Sequence, residues 1–305
     1  MGLSILMRSH HFTMIGDSIP NGGVQRHIEE VSRVLRARGH RVEWCYPAAT
    51  PSIEPDLVVF HDYSSWDWGN IPLSHTLVVF HGWEGVAPPD PRVIAARQQI
   101  SYAVDHTIAV GEFIRKWYGG KIDHVIWGAV EPPTVEEQML PGTRGRAVWV
   151  GRIAPDTEAV SLIESAAQSG WHVEVVGDGP LLPELQKRVP AESMTIRGFV
   201  DEGIVRKAIA GSEIVLASGY LSILTAYSFQ RPVFIAIAPG NAVKDDYIRL
   251  MERPPIIVDG EFPYSPETIT EGDHPRLDVV ENHKWAATQT WDKIADHYEA
   301  AAKEQ

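Results

Sequence analysis

Short apolar runs constrain the fold of this chain more than any other feature. Asp56 to Phe60 and Thr76 to Phe80 lack the polar alternation of a half-exposed strand, which is typical of strands buried on both faces of a parallel sheet. Such runs alternate with helical patterns along the chain, as in the helix predicted from Gly22 to Arg38. The sequence therefore predicts parallel β/α units rather than a sandwich or a helical bundle.

These units predict two doubly wound domains. With 305 residues, two domains of about 150 residues are expected. The segment from 130 to 146 is rich in Pro, Gly and charge and is the predicted linker. We therefore expect Rossmann-like domains over 1–135 and 146–281. A final segment, 282–305, contains a predicted helix from Asn282 to Ala301 that packs back on the first domain.

Composition excludes several classes of protein. The chain is 44% hydrophobic and 22% charged, with a formal charge of −13, so we expect neither nucleic-acid nor anionic-lipid binding, both of which need dense Lys and Arg. The single cysteine, Cys45, excludes an internal disulfide. No run of about 18 to 20 apolar residues exists to span a bilayer, and no long apolar signal core begins the chain, so the cytoplasm is the expected location.

Glycine-rich turns occur in both halves of the chain. Gly22-Gly23 opens the first predicted helix, and the second half contains Gly151-Arg152, Gly177-Asp178-Gly179 and Gly198-Phe199. A glycine turn at a helix start presents free N–H groups and the positive end of the helix dipole to an anion. The two sets of turns therefore predict a nucleoside-diphosphate ligand held between the two domains.

The glycine turns belong to a longer ordered series of motifs. The series comprises Gly22-Gly23-Val24-Gln25-Arg26-His27, His81-Gly82, Val150-Gly151-Arg152, Val176-Gly177-Asp178-Gly179-Pro180, Gly198-Phe199-Val200 and Arg231-Pro232-Val233. In this order and spacing it resembles the family 4 glycosyltransferases over most of the chain. The resemblance implies the GT-B fold, two facing Rossmann-like domains with a nucleotide-sugar in the cleft. It also implies transfer of the sugar with retention of configuration, without a metal or another cofactor.

The resemblance also assigns roles to individual positions. His81 and Arg152 are the implied catalytic residues: His81 would contact the transferred sugar, and Arg152 would place a permanent positive charge close to the leaving diphosphate. The implied donor-binding residues are Gly22, Gly23, Arg152, Gly177, Phe199, Leu221, Ser222 and Thr225. His61, Asp62 and Trp83 are implied to contact the sugar or the acceptor. The acceptor could be a glycan, a lipid-linked molecule, a small molecule or a protein, and the first domain is expected to bind it.

Each of these residues also has a purely structural interpretation. Gly22-Gly23 could be only a turn, and Arg152 could pair with Asp156 or Glu158. His61 and His81 could cap the ends of their strands. Trp83 could stack on a sugar or anchor its own loop.

The sequence also departs from the family pattern. Two glutamates seven residues apart, which the family carries before the counterpart of Arg231-Pro232-Val233, are missing, and Thr225 occupies the place of the second. Thr157 stands where the family has a lysine. The hydroxyl of Ser222 at a predicted helix start, or the charge of Lys244, Arg206 or Lys207, could replace the lost contacts. The sequence thus predicts either an active, divergent glycosyltransferase or a catalytically silent GT-B protein that binds a glycan or a partner.

Overall fold

The structure of the chain is a computed structural model that describes residues 2–9, 22–46, 49–66, 75–82, 89–269 and 278–303. Its contacts divide the chain into two compact units. Unit 1 comprises Met1–Gly128, Arg249–Met251 and Thr290–Gln305, and unit 2 comprises Ala129–Ile248 and Glu252–Gln289.

Unit 1 is built on a parallel sheet. Its six described strands are β1 (Ser4–Arg8), β2 (Arg41–Cys45), β3 (Leu57–His61), β4 (His75–Phe80), β5 (His106–Val110) and β6 (His124–Ile126), in the order β2-β1-β3-β4-β5-β6. Its first three helices are α1 (Gly23–Ala37), α2 (Pro91–Ala103) and α3 (Glu112–Tyr118). All five residues of β3 are buried, which explains its uninterrupted apolar pattern.

Unit 2 repeats this design with a different strand order. The strands are β7 (Thr143–Val150), β8 (His172–Val176), β9 (Met194–Gly198), β10 (Ser212–Ala217), β11 (Val233–Ala236) and β12 (Ile256–Val258), all parallel, in the order β12-β11-β10-β7-β8-β9. The helices are α4 (Val135–Gln138), α5 (Ala159–Gln168), α6 (Leu182–Arg188), α7 (Glu202–Ala210), α8 (Tyr220–Ser228), α9 (Ala242–Arg249) and α10 (Val279–Ala287). Two parallel sheets with intervening helices confirm the predicted α/β fold class.

A last helix, α11 (Trp291–Ala301), belongs to unit 1 and packs against α1. Arg38, just after α1, donates hydrogen bonds to Asp292, Asp296 and Glu299 of α11 at 2.7–3.0 Å. Tyr298 and Trp291 are almost fully buried. The apolar side of α11 and the charged end of α1 together fix this helix on the first unit.

Three expectations about secondary structure are wrong. The single helix predicted over Asn282 to Ala301 is two helices, because the chain breaks at Thr288–Thr290, where the Thr290 hydroxyl caps α11 by accepting from the Lys293 N–H. The predicted linker contains α4 and the first part of β7, which pairs with β10. The helix predicted to start at Ser222 starts at Tyr220, with Gly219 as its N-cap.

Candidate functional site

The strand order of unit 1 marks where a ligand site is expected. The chain runs from β1 outward to β2, then returns to β3 on the other side of β1. Ligands of open α/β sheets bind outside the carboxyl ends of the strands at such a switch point. His61 is the last residue of β3, His81 directly follows β4, and Gly22 precedes α1. The predicted positions of unit 1 therefore occupy the edge that the topology favours.

Three histidines meet at this edge. His61 Nδ1 lies 2.9 Å from His81 Nε2 in a hydrogen bond. The ring of His27, on α1, lies 4.7 Å from that of His81 in an edge-to-face contact. His27 Nε2 also lies 3.0 Å from the hydroxyl of Tyr298. The structure thus brings together the two predicted histidines and adds His27, which the sequence analysis did not select.

Burial keeps one histidine of this cluster, His27, uncharged. His27 and His61 are almost completely buried, whereas His81 is half-buried. Burial lowers the pKa of His27 well below its ordinary value, and the proximity of His81 lowers it further. His27 is therefore neutral at physiological pH and contacts His81 through its ring, while its Nε2 lies at the Tyr298 hydroxyl.

The same three histidines could also hold a metal ion, because their candidate ligand atoms lie within 4.8 Å of one another. Among the described residues they form the one such group. Tetrahedral Zn²⁺ with bonds of about 2.0–2.1 Å would place two ligand nitrogens roughly 3.3 Å apart, both without protons. His61 and His81 instead share a hydrogen bond at 2.9 Å, with a proton between them. A metal would have to break that bond, so the geometry favours hydrogen-bonded imidazoles.

Asp62 holds the backbone that carries His81. Its carboxylate accepts the His81 backbone N–H at 3.0 Å and lies 3.6 Å from the guanidinium of Arg97. Arg97 is itself buried, donates to the Gly82 carbonyl and lies 4.1 Å above the ring of Tyr118. Asp62 has φ +67° and ψ 162°, a conformation that costs a non-glycine residue on the order of 1–3 kcal/mol. The structure thus makes Asp62 a support for His81 and accepts strain to do so.

Gly22 caps α1 without a structural need for glycine. Its φ is −71°, a value that any residue adopts, and a Cβ placed there would meet no described atom within 4 Å. Gly23 is the first residue of α1. Trp83 lies outside the described residues.

Unit 2 has its own switch point, between β7 and β10. Gly151 and Arg152 follow β7, and Ser218 and Gly219 follow β10. The two turns touch, because a Cβ on Gly151 would lie 3.1 Å from the Ser218 hydroxyl. The Arg152 side chain is 63% exposed and pairs with Asp156 at 2.6 Å. The ion pair considered as a structural alternative therefore exists, yet it leaves most of the guanidinium open to solvent.

Gly177 and Phe199 follow the neighbouring strands β8 and β9. Gly177 has φ +142°, and a Cβ there would lie 1.9 Å from the Gly151 carbonyl oxygen. Glycine at 177 is therefore required by the packing of one turn on the other. Phe199 is 58% exposed, so its ring is accessible at the carboxyl edge of the sheet.

The start of α8 differs from what the sequence suggests. The Ser222 hydroxyl donates to the Gly219 carbonyl at 2.9 Å, and the Thr225 hydroxyl donates to the Leu221 carbonyl at 2.8 Å. The backbone N–H of Tyr220 donates to the Tyr247 hydroxyl at 2.8 Å. Within the described chain, the backbone N–H groups of Leu221 and Ser222 have no acceptor. Backbone donors rather than hydroxyls are therefore what this helix start offers.

Thr157 does not replace the charge of the missing lysine. It is buried, and its hydroxyl donates to the Ala154 carbonyl at 2.8 Å and accepts the Ala154 N–H at 3.2 Å. Both bonds close the turn that leads into α5. The side chain is therefore committed to the local structure.

Comparisons with known proteins bear on the fold. No family model matches the sequence, and no curated protein matches it either. The structure is similar over its full length to solved glycosyltransferases. AviGT4, a glycosyltransferase involved in avilamycin A biosynthesis, is 15% identical, with a TM-score of 0.68 over 99% of this chain and 97% of that chain. Sucrose-phosphate synthase from Thermosynechococcus elongatus is 14% identical, with a TM-score of 0.72 over 98% of each chain.

A third similar structure, HepE of Anabaena in complex with UDP and glucose, is 13% identical, with a TM-score of 0.65 over 98% of each chain. These matches confirm the predicted GT-B fold, which the chain shares with nucleotide-sugar glycosyltransferases. Among the helices that the structure describes, none is long and apolar enough to cross a membrane.

Proposed function

We propose that this protein is a glycosyltransferase that moves a sugar from a nucleoside-diphosphate sugar to an acceptor hydroxyl, with retention of configuration. The observation that carries the proposal is the switch point of unit 2. There, an exposed guanidinium and the open N–H groups of Leu221 and Ser222 lie on adjoining turns of one sheet edge. Such a combination of a planar cation and a helix start suits a diphosphate.

In this reaction the bond between the anomeric carbon and the phosphate oxygen breaks, and the electron pair leaves with the nucleoside diphosphate. Arg152 stabilises the charge that grows on the phosphate oxygens, and the helix start of α8 assists it. The acceptor oxygen bonds to the same face of the anomeric carbon, and its proton passes to the leaving phosphate oxygen or to solvent. The step requires no redox partner.

Unit 1 would position the sugar and the acceptor. Gly22 and Gly23 offer close approach to backbone N–H groups, and His81 contacts the transferred sugar. His61 orients the His81 ring through the bond between Nδ1 and Nε2, and Asp62 fixes its backbone. His81 then presents a fixed ring to each substrate, which reduces the entropy lost in reaching the transition state.

The test pairs Arg152 with a matched control. Arg188 on α6 is also exposed and also pairs with an acid four residues away, Glu184. Purified protein is assayed for transfer and for donor hydrolysis with UDP, GDP, ADP and TDP sugars, with and without EDTA. We expect one donor to be turned over in both conditions. We also expect Arg152→Ala to lower kcat/KM for that donor at least ten-fold, while Arg188→Ala changes it less than two-fold.

A catalytically silent GT-B protein is the second candidate. The commitment of the Thr157 and Thr225 hydroxyls to backbone carbonyls favours it, because neither side chain then compensates for the lost donor contacts. A donor or a nucleoside diphosphate that raises the Tm without turnover would support this function. If no donor is turned over and none shifts the Tm, the transferase proposal is wrong.

A further inference from the structure

Three cations of unit 2, Arg206, Lys207 and Lys244, are the candidates to replace the charge of the missing lysine. Arg206 donates to both carboxylate oxygens of Glu137 and to the carbonyls of Glu131 and Pro132, so it is held at the segment that precedes β7. Lys207 is exposed on α7. The described contacts of Arg206 therefore lie away from the turns that follow β7 and β10, whereas Lys244 contacts one of those turns directly.

Lys244 lies beside the switch point of unit 2. It belongs to α9, and its Nζ donates to the Ser218 carbonyl in the turn between β10 and α8. Ser218 is the residue whose hydroxyl packs against Gly151. The ammonium also lies 4.7 Å from the ring of Tyr247. It thus lies against the turn that leads into α8, and that turn itself contacts the one that carries Arg152.

Burial of this ammonium carries a desolvation penalty. Lys244 is only 4% exposed. Burial lowers its pKa to about 8, Asp156 raises that pKa, and Arg152 lowers it. An apolar side chain of similar volume would avoid the cost of burying a charge. The chain instead keeps a second cation next to the turn that leads into α8, close enough to Arg152 and Asp156 for both charges to act on it.

We propose that Lys244 is the second cation of the diphosphate site. It acts from α9, behind the Ser218-Gly219 turn, in place of a lysine in the turn after β7. This inference rests on the proposed function, since the anion is the diphosphate of the donor. Lys244 is a positioning residue: it holds the Ser218 carbonyl, and its charge stabilises the phosphates across the turn. Little solvent screens a charge in such a position.

The experiment separates charge from folding. Binding of UDP, GDP, ADP and TDP and of the corresponding nucleosides is measured by calorimetry for the wild type, Lys244→Met, Lys244→Arg and the exposed control Lys207→Met. We expect Lys244→Met to weaken binding of the diphosphate at least ten-fold and of its nucleoside less than two-fold. Lys244→Arg restores most of the loss, and Lys207→Met behaves like the wild type.

The wild type provides a second readout if Lys244→Met does not fold. Arg152 and Asp156 act electrostatically on Lys244 from the segment after β7. Tyr247 of α9 lies beside the ammonium, and Tyr220 of α8 stacks on Tyr247. Burial raises the pKa of both tyrosines. Diphosphate affinity should therefore be highest below pH 8 and fall as the pH rises from 8 to 9.5, because unliganded Lys244 loses its proton there and binding must restore it.

Three results would overturn the inference while leaving the proposed function intact. They are equal diphosphate binding by Lys244→Met, an equal loss of nucleoside and diphosphate binding, and a wild-type affinity that does not change between pH 7 and 9.5. If the wild type binds none of the four diphosphates, the proposed function fails, and the inference fails with it.

Discussion

Changing Gly22 and Gly177 to serine should have opposite effects on stability. Gly22 is an N-cap with φ −71° and no described atom within 4 Å of a Cβ. Serine is preferred over glycine at an N-cap by a few tenths of a kcal/mol. It also lowers the entropy of the unfolded chain, which is worth about 0.4–1 kcal/mol. Gly22→Ser should therefore stabilise the protein by about 0.5–1 kcal/mol.

Gly177→Ser should destabilise it. At φ +142° the new Cβ would lie 1.9 Å from the backbone oxygen of Gly151, so the turns after β7 and β8 must separate. The unfavourable backbone conformation and the displaced turn together cost about 2–4 kcal/mol. Such a loss lowers the Tm by roughly 4 °C or more.

For Gly22→Ser, the catalytic efficiency should fall although the stability does not. In Gly22→Ser, the added hydroxymethyl group projects from the N-cap of α1, where the proposed function expects the donor to approach the backbone closely. We expect this variant to lower kcat/KM for the donor at least ten-fold, which is about 1.4 kcal/mol of transition-state stabilisation, in a protein at least as stable as the wild type. Chemical denaturation and donor kinetics on the same preparations measure both quantities.

Two outcomes would refute this reasoning. Wild-type kinetics for a stable Gly22→Ser would show that no ligand needs the space beside Gly22, and glycine there would be only a turn residue. An unchanged free energy of unfolding for Gly177→Ser would show that the turns after β7 and β8 are not in contact.

Two further predictions concern stability. The pKa of His27 is lowered in the folded state, so below about pH 6.5 the unfolded chain binds more protons than the folded chain. The free energy of unfolding should therefore fall by up to about 1.4 kcal/mol for each pH unit in that range. Chemical denaturation from pH 7.5 to 5 should show a smaller dependence of this free energy on pH in His27→Gln than in the wild type. The ion pair with Arg206 holds the pKa of Glu137 at about 2, so its stabilisation is present above pH 4.5 and is lost as the pH falls towards 2. At pH 7, Glu137→Gln should cost about 1.5–3 kcal/mol, whereas the exposed control Glu184→Gln should cost less than 1 kcal/mol. Equal costs would show that the pair with Arg206 adds nothing to the stability.

Short apolar runs in the sequence predicted most of the fold, because a strand buried on both faces of a parallel sheet is apolar over a few consecutive residues. The strands predicted from Asp56 to Phe60 and from Thr76 to Phe80 lie within one residue of the observed bounds of β3 and β4. β7 begins at Thr143 because its polar first residues pair with β10, and a pairing partner is invisible in a local pattern. α9 escaped the sequence analysis, although Val243, Lys244, Tyr247 and Ile248 recur at helical spacing and are buried.

The candidate site was harder to predict than the fold because long-range contacts assemble it. His61 and His81 were found since each follows an apolar run, but His27 joins them only through the fold. Its contact with Tyr298 spans 271 residues, and no local pattern signals it. Lys244 was only one of three cations named from the sequence, and the turn after β10 singles it out.

The departures from the family pattern concern different parts of the proposed donor site. In the family that the sequence resembles, the two glutamates lie seven residues apart, and here the first is missing while Thr225 occupies the place of the second. Phosphate recognition depends largely on where the strand order reverses and a helix begins, and this chain keeps both features between β7 and β10. A cation can reach that point from any element that passes behind it, as Lys244 does from α9. We therefore expect affinity for the diphosphate to persist in this chain, and the choice of sugar to differ from that of glycosyltransferases that carry both glutamates.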